Sequence, residues 1–253
     1  MNAPENATHE SQTASSDIHK PVLKPIAPIW HTVVLIVIVL GFSLSTANSQ
    51  RAITMQHGRI LLYVSTMIWE WLLVGYILLG VRSRGVRLRE LIGGRWASIS
   101  DVLRDIGISV GFWLVAMAVL AAVGYGLGLA NANAAAEAKE KLGFLVPRST
   151  AELGLFLGVS ATAGFCEEII FRGYLQRQFA AWTRIEIIGV ILQAAVFGAG
   201  HGYEGKGRML LIAVYGVLFG LLALWRKSLR PGMIAHGLHD SVEGVLLHMG
   251  VLR

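Results

Sequence analysis

Charged residues and cysteine are both scarce in this sequence. Only 15% of its 253 residues are charged, whereas soluble domains usually carry about 25%. The single cysteine, Cys166, excludes an intrachain disulfide and a cysteine-rich zinc site. The low charge and the 54% share of hydrophobic residues exclude an ordinary soluble domain and place the chain among membrane proteins.

Long apolar runs fill most of the chain after a polar start. Residues 1–27 are polar and contain several prolines, which predicts a disordered N-terminal tail. Residues 28–253 are predicted to form one all-α, polytopic transmembrane helix bundle of about seven or eight spans. Seven runs are long enough to be candidate spans: Ile29–Ala47, Ile60–Val81, Ile106–Ala130, Leu153–Leu175, Ile185–Gly200, Met209–Trp225 and Pro231–Leu252.

The basic residues lie mainly in short loops between the apolar runs. The positive-inside bias therefore explains the pI of about 9.7, and we predict no nucleic-acid partner. Lys and Arg are more frequent in the loops on the side of the membrane that holds the N-terminus. This bias predicts an integral protein of the cytoplasmic (inner) membrane with a cytoplasmic N-terminus. Ser100 followed by Asp101, late in the most basic loop, resembles a helix start. That loop contains Arg82, Arg84, Arg87, Arg89, Arg95 and Arg104.

Two glutamates and an arginine interrupt the fourth apolar run. Each charged side chain at a helix centre costs about 2.5–3.5 kcal/mol, so a functional reason or a partner is required. Glu168 and Arg172 are four residues apart, in the order that favours an ion pair on one helix face. Glu167 lies outside that register and is free to face a polar cavity as a general base. The alternative is that the run marks a helix end among lipid headgroups.

Two histidine motifs follow in later apolar runs. Glycines flank His201 at the end of the fifth run, which lets backbone or substrate approach closely; alone it could be a histidine at the membrane surface. In the last run His236 and Asp240 share a helix face, so the carboxylate can fix the imidazole tautomer. His239 and Glu243 have the same spacing on a neighbouring face.

Together the motifs Glu167-Glu168-x-x-x-Arg172, Phe197-x-x-x-His201 and His236-x-x-x-Asp240 resemble the CAAX-protease and bacteriocin-processing family, or type II CAAX prenyl endopeptidases. The resemblance covers roughly residues 150–245, where we place the catalytic motifs. It implies an eight-helix bundle, one helix more than the seven runs, with the extra helix among residues 82–105 or 131–150.

The resemblance implies an intramembrane endopeptidase acting on peptide or protein substrates in or beside the bilayer, including prenylated CAAX-type tails. Glu167 and His201 would activate a water, His236 and Asp240 would stabilise the oxyanion, and Arg172 would hold Glu168. Asp240 can donate only when protonated, so here we expect it to orient His236 instead.

Several alternatives stay open at the sequence level. Two histidines and a glutamate include the ligand types of a catalytic zinc, yet a carboxylate can also activate water without metal. No cofactor is assigned, and the oligomeric state is open. Glu70, within the second run, is a functional candidate that could instead pair with an Arg or His. An ion- or proton-coupled transporter and a non-catalytic immunity protein are the competing functions.

Overall fold

The computed structural model describes residues 23–129 and 131–251, in which the regular structure is helical. The predicted tail from residue 1 to residue 22 lies outside the described residues. Within them the elements are α1 (Ile29–Arg82), α2 (Leu88–Ile92), α3 (Ile99–Gly126), α4 (Ala132–Leu142), α5 (Thr150–Glu167), a π-helical segment (Glu168–Leu175), α6 (Gln176–Thr183), α7 (Glu186–Gly200), a 3₁₀ turn (Gly202–Glu204), α8 (Lys206–Arg226) and α9 (Arg230–His248).

Helix α1 contains the first two predicted spans as the arms of a hairpin. Gly58 interrupts it with φ 81° and ψ 172°, a conformation that glycine adopts without the strain of a Cβ. The contacts between the arms show that they run antiparallel. The rings of His31 and Tyr76 stack with centroids 4.0 Å apart. Phe42 and Trp69 stack in the same way at 4.5 Å.

Four helical stretches in the described residues are long and apolar enough to cross a membrane: Arg51–Arg82, Ile99–Gly126, Thr150–Thr183 and Lys206–Arg226. Ile29–Ser45 and Glu186–Gly200 are apolar but shorter. The all-helical membrane architecture is therefore confirmed, whereas the count of seven or eight spans is not. Helices α2 and α4 occupy the regions where an extra helix was expected, but with 5 and 11 residues they are too short to span.

Helix α3 begins earlier than the sequence suggests. Its N-cap is Ser98, whose hydroxyl accepts from the Asp101 backbone N–H while the Asp101 carboxylate accepts from the Ser98 backbone N–H. This reciprocal capping box satisfies two donors that a helix start leaves unpaired. The expected start at Ser100 is therefore wrong by two residues, although Asp101 takes part in the cap.

Close helix contacts depend on glycine at particular positions. A Cβ on Gly164 of α5 would lie 2.7 Å from both the Gly237 nitrogen and the Met233 carbonyl oxygen of α9. On α8, a Cβ on Gly220 would lie 2.8 Å from the Gln176 side-chain oxygen. In contrast, a Cβ on Gly154 would meet nothing within 4 Å. Glycine therefore serves packing at the centre of the bundle and not at the start of α5.

The chain before α1 packs against the bundle from residue 26 onward. Ile26 and Ala27, which the sequence assigns to the polar tail, are buried. The Ile26 N–H donates to the Gln178 side-chain oxygen at 2.9 Å, and the Gln178 amide donates to the Ala27 carbonyl at 2.7 Å. Gln178 therefore satisfies the backbone of this segment on both sides, and the packed structure begins before residue 28.

Candidate active site

The fourth predicted span becomes π-helical where its charged motif lies. Residues Glu168–Leu175 form a π-helix between α5 and α6, and all eight are buried. The Gln176 N–H donates to the Phe171 carbonyl, five residues back. Such segments are rare and occur mostly at functional sites. The α-helical periodicity used at the sequence level contains no signal for this segment.

The predicted ion pair between Glu168 and Arg172 is confirmed. Arg172 Nη1 lies 2.9 Å from Glu168 Oε1, and the two side chains are 0% and 1% exposed. The guanidinium lies over the rings of Phe197, at 4.4 Å, and Phe219, at 5.0 Å, where cation–π attraction stabilises the charge. This burial contradicts the alternative that the motif marks a helix end among headgroups.

His236 connects that ion pair to the rest of the site. Its Nδ1 lies 3.2 Å from Glu168 Oε1. Its Nε2 lies 3.6 Å from Glu167 Oε2 and 3.8 Å from Asp240 Oδ2. Because Glu168 is already paired with Arg172, its oxygen accepts the His236 Nδ1 proton. The structure thus brings together five of the six predicted site residues around one buried imidazole.

His201, the sixth residue, follows the C-terminal end of α7. Its Nδ1 lies 2.8 Å from the Phe197 carbonyl oxygen, one turn earlier. A carbonyl can only accept, so Nδ1 carries the proton and Nε2 of the neutral ring is left as an acceptor. The ring of Phe197 packs against the imidazole, with centroids 4.8 Å apart. The histidine is therefore oriented from within its own helix.

Four of the six predicted site residues line one cavity of about 240 Å³. These four are Glu167, His201, His236 and Asp240. Glu168 does not line the cavity but contacts His236, and Arg172 pairs with Glu168. The other polar lining residues of the cavity are Tyr63, Thr66, Glu70, Tyr203, Glu204, Arg208, Tyr215, His239 and Glu243. Glu70 is therefore part of the same site and not a remote residue of the second span.

Arg208 organises the acidic side of the cavity, and sequence reasoning missed it. Its guanidinium lies 2.7 Å from Glu204 and 3.5 Å from Glu243. Glu243 therefore pairs with Arg208 and not with His239, whose Nδ1 accepts from the Trp113 indole N–H at 3.4 Å. No spacing in the sequence signals this pairing, because Arg208 and Glu243 lie on different helices.

Tyr203 lines the cavity beside Glu204. Burial and the Glu204 carboxylate raise the pKa of Tyr203 well above its usual 10. The phenol therefore stays protonated and remains a hydrogen-bond donor in the pH range of most assays. The sequence places this residue only as a neighbour of His201.

The described residues do not fit a metal centre. No three His, Cys, Asp or Glu side chains converge there closely enough to hold a metal ion. His201 Nδ1 is held by the Phe197 carbonyl, and His236 lies among carboxylates.

Comparison with known protein families gives one match. The segment from Ser149 to Val242 matches the family described as type II CAAX prenyl endopeptidase Rce1-like. This segment is therefore similar to the Rce1-like family. The predicted resemblance is therefore confirmed for this part of the chain, and Rce1-like proteins are proteases. No curated protein and no solved structure matches the chain.

The Rce1-like segment contains all six predicted site residues but not the whole cavity wall. Glu70 on α1 and Glu243 on α9 both lie outside it and both line the cavity. The apolar helices and the match to a membrane-protease family together indicate an integral membrane protein.

Proposed function

We propose that this protein is an intramembrane endopeptidase that hydrolyses a peptide bond with a water activated by Glu167 and His201. The observation that carries the proposal is the cavity that both side chains line together with His236 and Asp240. Prenylated CAAX-type tails, named in the family description, are one substrate class. Membrane-embedded or membrane-adjacent peptides without a prenyl group are another.

Glu167 is the general base in this mechanism. Its carboxylate is 18% exposed, whereas Glu168 beside it is 1% exposed and committed to Arg172. Only Glu167 of the two can therefore reach a water in the cavity and accept its proton. His201 assists through Nε2, the ring nitrogen that the Phe197 carbonyl leaves free to accept.

His236 is the donor to the oxyanion that forms when water attacks the scissile carbonyl. This role needs a proton on Nε2, and the carboxylates of Glu167 and Asp240 within 4 Å of that nitrogen stabilise the proton. The Glu168–Arg172 pair holds the opposite ring nitrogen. Donors that are preorganised in this way supply much of the transition-state stabilisation in acyl transfer.

The test compares purified wild type with Glu167→Gln in detergent on quenched-fluorescence peptides, prenylated and unprenylated. We expect Glu167→Gln to lose about 10²- to 10⁴-fold in kcat. Glu90→Gln is the matched control, since it removes an exposed carboxylate of α2 whose ion pair in the described structure is with the preceding Arg87. Resistance of buried Cys166 to a thiol-reactive dye verifies that each variant is folded.

Assays with a chelator, and with zinc added after it, distinguish a carboxylate-activated water from a metal centre. Activity that is lost in Glu167→Gln but survives a chelator supports a carboxylate-activated water. Loss with chelator that zinc restores would make the site a metal centre. A folded wild type that cleaves none of the peptides would favour a transporter, in which intramembrane glutamates and histidines form a relay, or a non-catalytic immunity protein.

A further inference from the structure

Glu70 is a buried carboxylate that the proposed mechanism does not use. It lies on the second arm of α1, its side chain is 7% exposed, and its Oε2 has no hydrogen-bond partner in the described structure. Tyr63 and Thr66 precede it at helical spacing and line the same cavity. One face of α1 therefore forms a wall of the cavity, and Glu70 lies on that wall.

The other carboxylates of the cavity all have a basic partner. Glu167 and Asp240 both lie within 4 Å of His236. Glu204 and Glu243 both pair with Arg208. For Glu70 no ion pair forms in the described residues. A buried carboxylate without a partner is costly, so a function is the more economical explanation for keeping it.

The cavity as a whole favours a cationic ligand. Its carboxylates outnumber its cations, because Arg208 is the only Lys or Arg among the lining residues of this described cavity. Low-dielectric walls of one charge sign concentrate ligands of the opposite sign. Tyr63, Tyr203 and Tyr215 add aromatic faces to the lining, which attract ammonium and guanidinium groups.

We propose that Glu70 binds a cationic group of the peptide substrate, either a Lys or Arg side chain or a free α-amino group. The inference rests on the proposed endopeptidase function and names its substrate class. Glu167 and Asp240 line the same cavity as Glu70, so a cation bound there is attracted by three carboxylates. A substrate without the cation leaves Glu70 unpaired, and sites with buried polar groups reject such analogues strongly.

The experiment uses three peptides that differ only in their cation. One has an acetylated N-terminus and an internal lysine, the second is acetylated with norleucine in place of lysine, and the third has norleucine and a free amine. Wild type is expected to prefer one cationic peptide over the neutral one, which identifies the source of the cation. Glu70→Gln is expected to raise KM for that peptide about 10- to 100-fold, with kcat little changed.

The control variant Glu90→Gln is expected to keep the wild-type ratio of kcat/KM between cationic and neutral peptides. Glu70→Asp is expected to recover part of the preference, because it keeps the charge with a shorter side chain. An equal fall in kcat for all three peptides would overturn the proposal and assign Glu70 to proton transfer. Equal cleavage of cationic and neutral peptides by wild type would also overturn it.

A binding measurement separates this proposal from the proposed function. Fluorescence anisotropy of the same peptides is measured with Glu167→Gln protein, which needs no turnover, and with Glu70→Gln added to that variant. Tighter binding of a cationic peptide that is lost with Glu70→Gln supports the proposal even when wild type cleaves nothing. Binding that does not depend on the peptide cation refutes it, whatever the catalytic result.

Discussion

Replacing Arg172 by methionine removes the cation that pairs with Glu168 from four residues along the same π-helical segment. Both side chains are at most 1% exposed, and Arg172 also lies over Phe197 and Phe219. In Arg172→Met, His236 remains as the hydrogen-bond partner of Glu168 in the described structure. Breaking a buried pair from one side costs about 3–5 kcal/mol when the remaining charge is uncompensated, and because His236 still contacts Glu168 at 3.2 Å we expect the lower end of this range.

The single cysteine provides the assay. Cys166 is fully buried two residues before Glu168, so labelling by a thiol-reactive dye on heating reports opening of the core. A loss of 3–5 kcal/mol corresponds to a fall in Tm of about 6–20 °C for a protein of this size. Because the sequence contains a single cysteine, no other cysteine has to be replaced before labelling.

A double-mutant cycle decides whether the pair itself is responsible. Glu168→Gln leaves Arg172 without its carboxylate, whereas Glu168→Gln/Arg172→Met removes both charges. We expect the double variant to be less destabilised than the sum of the two single variants, because neither charge is then left unpaired. Strictly additive losses, or a fall of less than about 2 °C in Arg172→Met, would refute the assigned role of the buried pair.

Two further predictions concern the site and the packing, beside those for Glu167 and Glu70. Asp240→Asn is expected to retain at least about a tenth of wild-type kcat, because Glu167 at 3.6 Å and Glu168 at 3.2 Å still hold the two ring nitrogens of His236; an inactive, folded variant would contradict the positioning role. Gly164→Ala is expected to cost about 1–3 kcal/mol, since its Cβ would lie 2.7 Å from α9 backbone. Gly154→Ala, with open space around the Cβ, is expected to be neutral or stabilising; equal Tm shifts in the Cys166 assay would contradict this difference.

The membrane class, the helical architecture and the three motifs follow from the sequence alone. They depend on local properties, because apolar run length decides whether a helix can span and charge within such a run demands compensation. The Glu168–Arg172 pair is also a local consequence, since one turn of helix separates the two residues. Spacing along the chain is sufficient information for such contacts.

Tertiary packing determines which residues line the cavity. Glu70 meets the Rce1-like segment because the second arm of α1 packs beside α5, where the rings of Trp71 and Phe165 lie 5.4 Å apart. Arg208 and Glu243 pair across α8 and α9, and His236 reaches Glu167 from another helix. Apolar periodicity specifies which face of a helix is buried, but not which helix covers it. The identity of the partner depends on how closely whole surfaces fit, as where Gly164 lets α9 approach α5.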